Sequence, residues 1–249
     1  MNSNKSNNVV FDANKMLLSE KSPFSVQEAY KTLRTNISFS LPGSECKCIG
    51  IISANRGDGK STIASNLAIS LGQIKKKVVL IDCDLRLPTI AKKFEIQSVP
   101  GLSNYLSGGV DEIPVVHETA RGIDIIPSGN IPPDSTTLIS SQMMIELINQ
   151  LKQTYDYVVF DFPPINIVSD AAILSEIIDG YLLVVRHKTS EYQMINETIR
   201  RMRFADAKVI GFVYNGKGEE KKYYKRGRYG KYYSKYYNKY YNSYYYKKD

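Results

Sequence analysis

The sequence predicts an α/β domain in which helices cover both faces of a mostly parallel central sheet, followed by a disordered C-terminal tail. Two observations predict the domain and a third predicts the tail. From Cys48 onward, short Val- and Ile-rich runs alternate with helical stretches, as βαβ units with a doubly covered sheet require. Several of these runs end in polar residues, at the strand ends where open α/β sheets bind ligands. After Asn215 the alternation stops, and no aliphatic residue follows Val213.

Taken in order, residues 1–24 read as a flexible polar segment. Ser25-Val-Gln-Glu28 matches a capping box and opens a helix. Glu28, Lys31 and Arg34 fall one turn apart on its polar face, where a solvated surface is the simplest reading. Candidate strands are Cys48–Ser53, Val78–Asp82, Ile123–Ile126, Tyr157–Asp161, Tyr181–Arg186 and Val209–Tyr214. Ser61–Gln73, Ser141–Thr154, Ala171–Ile178 and Glu191–Ala205 read as the helices between them. The main domain therefore spans 25–215 and the tail 216–249.

Composition excludes several classes. No run of about 18 apolar residues is present, and the N-terminus lacks the apolar stretch of a secretory signal, so a cytoplasmic protein is expected. Cys46, Cys48 and Cys83 lack the spacing and partners of a metal site and read as reduced, structural thiols. The net charge of +8 suggests a nucleic-acid or membrane binder until it is located. Residues 217–249 hold eleven Lys and Arg against three Asp and Glu, while the rest of the chain carries 22 of each sign. The basic character belongs to the tail, and no specific nucleic acid is expected as a partner.

The chemistry lies in three segments. Ala54-Asn55-Arg56-Gly57-Asp58-Gly59-Lys60-Ser61-Thr62 follows a strand and opens a helix, matching a P-loop with alanine at the first glycine. Gly57 and Gly59 allow backbone N–H groups close to phosphate oxygens, Lys60 reaches the β- and γ-phosphates, and Ser61 ligates Mg²⁺. Val79-Leu-Ile-Asp82-Cys-Asp84-Leu-Arg86 ends the second strand with carboxylates at i and i+2. Val158-Val-Phe-Asp161 has the Walker-B shape. Either aspartate alone fits an N-cap; the three segments in this order point to Mg-ATP. Asp161 is expected to hold Mg²⁺ through water, with Asp82 beside the γ-phosphate as metal neighbour and proton acceptor. Asp161-Phe162 continues with Pro163 and no His-Arg-Asp loop exists, which excludes a eukaryotic-type kinase.

Together these segments resemble the deviant P-loop ATPases that include the Min and Par proteins. Within them the chain resembles the bacterial tyrosine kinases of capsule and exopolysaccharide synthesis, in a split form without a membrane part, over roughly residues 25–249. Glu28-x-x-Lys31-x-x-Arg34, the S-A-N-R-G-D-G-K-S-T loop, the D-x-D-x-R strand end and the terminal tyrosines carry the likeness. The resemblance implies a catalytic site of Lys60, Ser61, Thr62, Asp82, Asp84 and Asp161. It also implies ring-like self-association through the N-terminal helix and activation by a transmembrane adaptor of the polysaccharide-copolymerase type, which would place the protein at the inner face of the membrane. An opposing tyrosine phosphatase and further phosphorylated proteins complete the expected partners. Lys31 stands where the family usually has arginine, keeping charge but losing a bidentate contact. Asn55 stands where partition ATPases carry an extra lysine, which counts against that alternative. Asn215 reads either as an adenine contact or as a turn residue.

Twelve of the nineteen tyrosines are in the tail: Tyr223, Tyr224, Tyr229, Tyr232, Tyr233, Tyr236, Tyr237, Tyr240, Tyr241, Tyr244, Tyr245 and Tyr246. A basic aromatic tail alone suggests nucleic acid or anionic lipid. Attached to a P-loop kinase site, it reads as a phosphoacceptor. About 30 extended residues at ~3.3 Å each reach roughly 100 Å, far enough for a neighbouring subunit.

Overall fold

The computed structural model describes residues 17–43, 45–109, 116–168 and 170–216. The tail tyrosines and residues 1–16 lie outside the described residues. Among the described residues seven strands form one sheet: β1 (Lys47–Ser53), β2 (Val78–Asp82), β3 (His117–Glu118), β4 (Asp124–Ile126), β5 (Tyr157–Asp161), β6 (Gly180–Arg186) and β7 (Val209–Asn215). Their order is β3-β4-β2-β5-β1-β6-β7, parallel throughout except for the short antiparallel β3. The helices are α1 (Phe24–Ser40), α2 (Lys60–Gly72), α3 (Ile90–Phe94), α4 (Leu102–Leu106), α5 (Ser135–Ile139), α6 (Gln142–Thr154), α7 (Asp170–Ile173) and α8 (Tyr192–Phe204).

The expected strands appear with ends shifted by a residue or so, and β3 is additional. Every residue of β2 and β5 is buried, as a sheet covered on both faces demands. One face packs against α2, whose residues Ile63–Leu71 are all buried; the other packs against α6 and α8 through Leu147, Leu151 and Met202. The three cysteines are free and buried. Among the described residues, no helix is long and apolar enough to cross a membrane.

Three local expectations change. Helix α1 starts two residues earlier, with Pro23 instead of Ser25 at the N-cap position and no side-chain cap; Ser25 is already helical. Glu28 pairs with Lys31 at 2.7 Å instead of returning to the helix start. Packed structure also begins before residue 25, because Leu17 and Leu18 are buried. The Leu18 amide donates to Asn66 Oδ1 at 2.8 Å and its carbonyl accepts from Arg121 at 3.0 Å, fastening this segment to the core. Finally, the helix expected over 171–178 is the single turn α7.

The central placement of β1, between β5 and β6, sets the site. The chain leaves β1 toward β2 on one side and places β6 on the other, which opens a crevice at the carboxyl ends of the strands. In register, Asp82 lies directly beside Asp161, and Ile51 pairs with Asp161 from the opposite side.

Candidate active site

The loop between β1 and α2 closes on itself. Asp58, fully buried, accepts from the Asn55 amide at 3.0 Å and from the Ser190 hydroxyl at 2.9 Å. Its carboxylate is thus a brace, and the loop's phosphate-binding capacity rests on its backbone. Asn215 Nδ2 donates to the Asp58 carbonyl at 2.8 Å, so the last strand holds the loop from outside. Arg186 Nη1 donates to the Gly57 carbonyl. Gly57 and Gly59 have φ of +85° and +97°, the left-handed region that glycine adopts without strain. A Cβ at Gly59 would collide with Asn215 Nδ2, whereas one at Gly57 would meet open space. No side chain caps α2, leaving its positive end available to an anion.

Lys60, first residue of α2, turns onto the acidic strand ends. Its Nζ lies 3.0 Å from Asp84 Oδ2 and 4.0 Å from Asp161 Oδ1. Burial alone would push the ammonium down, but Asp161, Asp84 and Asp82 outweigh it and hold its pKa above the ordinary lysine value.

The three aspartates differ in what they hold. Asp82 Oδ2 accepts from the Thr89 and Ile90 amides at 3.1 and 3.0 Å, and Oδ1 from the Asp84 amide at 3.2 Å. Burial, with the Asp161 charge beside it, pushes Asp82 up to about 7 despite those donors. Asp84 joins the Lys60 contact to a bond from the Leu87 amide at 3.2 Å. Asp161 is fully buried and neither of its oxygens has a hydrogen-bond partner among the described residues. Burial raises its pKa, and Lys60 opposes the rise; the Ser61 hydroxyl is near enough to oppose it too, without reaching good hydrogen-bond geometry. Two buried, orphaned carboxylate oxygens beside an uncapped helix end and a lysine fit a phosphate-bound divalent cation.

The structure therefore brings together Lys60, Ser61, Asp82, Asp84 and Asp161 at one end of the sheet. Asn215 reaches the loop backbone. Glu28, half-buried, and Lys31, exposed, lie apart on α1 and pair with each other. Arg34 is spent inside the chain: its Nη1 donates to the Ser70 carbonyl at 2.8 Å and to the Ser70 hydroxyl at 3.2 Å.

Two features were not expected. Arg86, noted only as part of D-x-D-x-R, pairs with fully buried Asp170 at 2.5 Å and donates to Thr136 Oγ1 at 2.9 Å. Thr136 in turn donates to Asp170 at 2.9 Å, so α5, α7 and the loop after β2 share one network. Lys93 on α3 donates to Thr62 Oγ1 at 3.1 Å, beside the phosphate loop. Its neighbour Lys92 is exposed, and only the turn of α3 separates their environments.

The matching family model is ParA, the NUBPL iron-transfer P-loop NTPases, over residues 46–234. The tyrosine-protein kinase YwqD of Bacillus subtilis is 38% identical over 206 residues, covering 82% of this chain and 85% of that protein. The tyrosine-protein kinase CpsD of Streptococcus agalactiae is 35% identical over 208 residues, covering 83% and 89%. Among solved structures, the kinase domain of the Escherichia coli tyrosine kinase ETK aligns with a TM-score of 0.75 at 31% identity, covering 77% of this chain and 76% of that one.

Proposed function

Because the chain belongs to the bacterial tyrosine-protein kinases, built on the ParA-type P-loop domain, we propose that it transfers the γ-phosphoryl group of Mg-ATP to its own C-terminal tyrosines. The observation that carries the reading is the orphaned Asp161 carboxylate set beside Lys60, in a chain 38% identical to a tyrosine kinase over four fifths of its length. The kinase domain runs to residue 215 and includes the segment from Leu17 that is fastened to its core, and 216–249 is its acceptor segment.

Lys60 leaves Asp84 and neutralises the β- and γ-phosphate oxygens. The N-terminal amides of α2 and the loop around Gly57 and Gly59 hold the phosphates in line. Ser61 and Asp161 would hold the Mg²⁺, with Asp82 beside Asp161 on the neighbouring strand; when bound, the ion would withdraw charge from the transferring group. A tyrosine oxygen forms the new bond to phosphorus, the bond to the bridging oxygen breaks and ADP leaves. The tyrosine proton passes to a carboxylate, and Asp82, with a pKa near neutrality, suits that role.

Transfer between subunits of a ring-like homo-oligomer, activation by a membrane adaptor, reversal by a phosphatase and control of surface-polysaccharide export complete the proposal. Each phosphotyrosine adds about −1.5 to −2, so roughly four or five would cancel the charge of the tail. Loss of that charge would loosen an assembly held by it. A partition-ATPase reading gains nothing from Asn55, which stands where that branch places a lysine.

Incubation with Mg-ATP and the adaptor's cytoplasmic peptide, followed by phosphotyrosine blotting, tests the activity. Signal in the wild type and none in Lys60→Met is expected; a silent wild type overturns the reading. Mixing Lys60→Met full-length chain with an active chain ending at residue 216 tests transfer between subunits, which requires the inactive chain to be labelled.

A further inference from the structure

Lys93 stands out among the described cations. It is half-buried, yet its ammonium forms no ion pair with any described residue, and its hydrogen bond goes to the neutral hydroxyl of Thr62. Burial pushes its pKa below the ordinary lysine value; the Asp161 charge resists this and the Lys60 charge adds to it, so all three share one electrostatic neighbourhood. A cation withdrawn from water without a counter-ion is costly. It is retained where a ligand brings the missing charge. Thr62 is the third residue after Gly59 and directly follows Ser61, the expected Mg²⁺ ligand, so its hydroxyl marks the part of the loop that cradles the α- and β-phosphates. The neighbouring Lys92 is exposed and serves as an internal contrast.

We propose that Lys93 is a second phosphate-contacting lysine, delivered by α3 to the α/β-phosphate end of the nucleotide, while Lys60 serves the β/γ end. This rests on the nucleotide-binding reading above. Two lysines from separate elements then bracket the polyphosphate, and the nucleotide supplies the counter-charge that Lys93, already seated on Thr62, lacks in the free protein. Retention of the nucleoside diphosphate after transfer follows, because Lys93 contacts the part that remains.

The test is calorimetric titration of the full chain with Mg-ADP and with adenosine, alongside thermal unfolding without ligand, for wild type, Lys93→Met, Lys93→Arg and Lys92→Met. Lys93→Met should weaken Mg-ADP binding about tenfold, the scale of one charge-assisted contact. Adenosine binding should not change, and the ligand-free melting temperature should hold or rise as an unpaired charge is removed. Lys93→Arg should recover much of the affinity, and Lys92→Met should match wild type. Unchanged Mg-ADP affinity in Lys93→Met overturns the proposal and leaves the kinase reading standing. A lower ligand-free melting temperature with equal weakening of both ligands makes Lys93 a packing residue and also overturns it. A wild type that binds no Mg-ADP removes the nucleotide reading and this proposal together.

Discussion

Lys60 and Asp84 form an ion pair at 3.0 Å across the mouth of the site. The ammonium proposed to meet phosphate is thus engaged by a carboxylate in the free protein, and nucleotide would compete with Asp84 for it. Asp84→Asn should bind ADP without Mg²⁺ more tightly, by about tenfold, because the competitor has lost its charge. Phosphoryl transfer should fall in the same variant. Calorimetry and a phosphotyrosine assay on one preparation separate the two effects.

Stability should depend on pH through Asp82. Its pKa of about 7 in the folded chain lies above the ordinary aspartate value, so the fold favours the protonated form. The stability this confers is fully present below about pH 4 and is lost as pH rises toward 7, because the unfolded chain releases the proton more readily. Asp82→Asn should flatten that decline in metal-free protein. It should not abolish it, since Asp161 is raised as well. Urea unfolding between pH 5 and 8 with a chelator present measures the slope.

The two loop glycines should separate fold from binding. Gly59→Ala meets both a left-handed φ and Asn215, and should cost about 1–3 kcal/mol of stability. Gly57→Ala strains the backbone but its Cβ enters open space, so stability should fall by only about 1 kcal/mol. Nucleotide affinity should drop sharply in both. Denaturant midpoints and Mg-ADP titration give the two readouts.

Asp170→Ala should be among the more damaging changes away from the nucleotide. Asp170 is fully buried and Arg86 partly exposed, so the loss should be roughly 2–3 kcal/mol, below the ~3–5 for a wholly buried pair. Arg86→Lys should recover only part of the function of Arg86, because an ammonium cannot reach Asp170 and Thr136 with one planar fork. Thermal unfolding of the three proteins checks the order.

Much of this architecture is legible because long Val/Ile runs such as Val158–Phe160 have few alternatives to a buried strand. The loop residues Ala54–Thr62 and the aspartates at 82, 84 and 161 announce their place by following such runs. The short helices α3, α4 and α5 leave too few turns for a periodic signal, and β3 is held in place by β4 rather than by its own two residues. Side-chain commitments are the least visible in sequence. Asp58 and Asn215 are 157 positions apart, and only the return of β7 to the sheet makes one the support of the other. The same holds for Lys93 and Thr62, which meet because α3 folds back over the start of α2.

The hold of Arg34 on Ser70 has a mechanical reading. Helix α2 is a rod of 13 residues, about 20 Å long. Lys60 forms one end of it, and the guanidinium of Arg34 grips the other, where a cation complements the helix carbonyls. A neighbour that recruits Arg34 must first prise it from that end. Assembly and catalysis would then be two loads on a single push-rod, and a force applied at the outer surface would be felt about 20 Å away at the lysine proposed to touch phosphate.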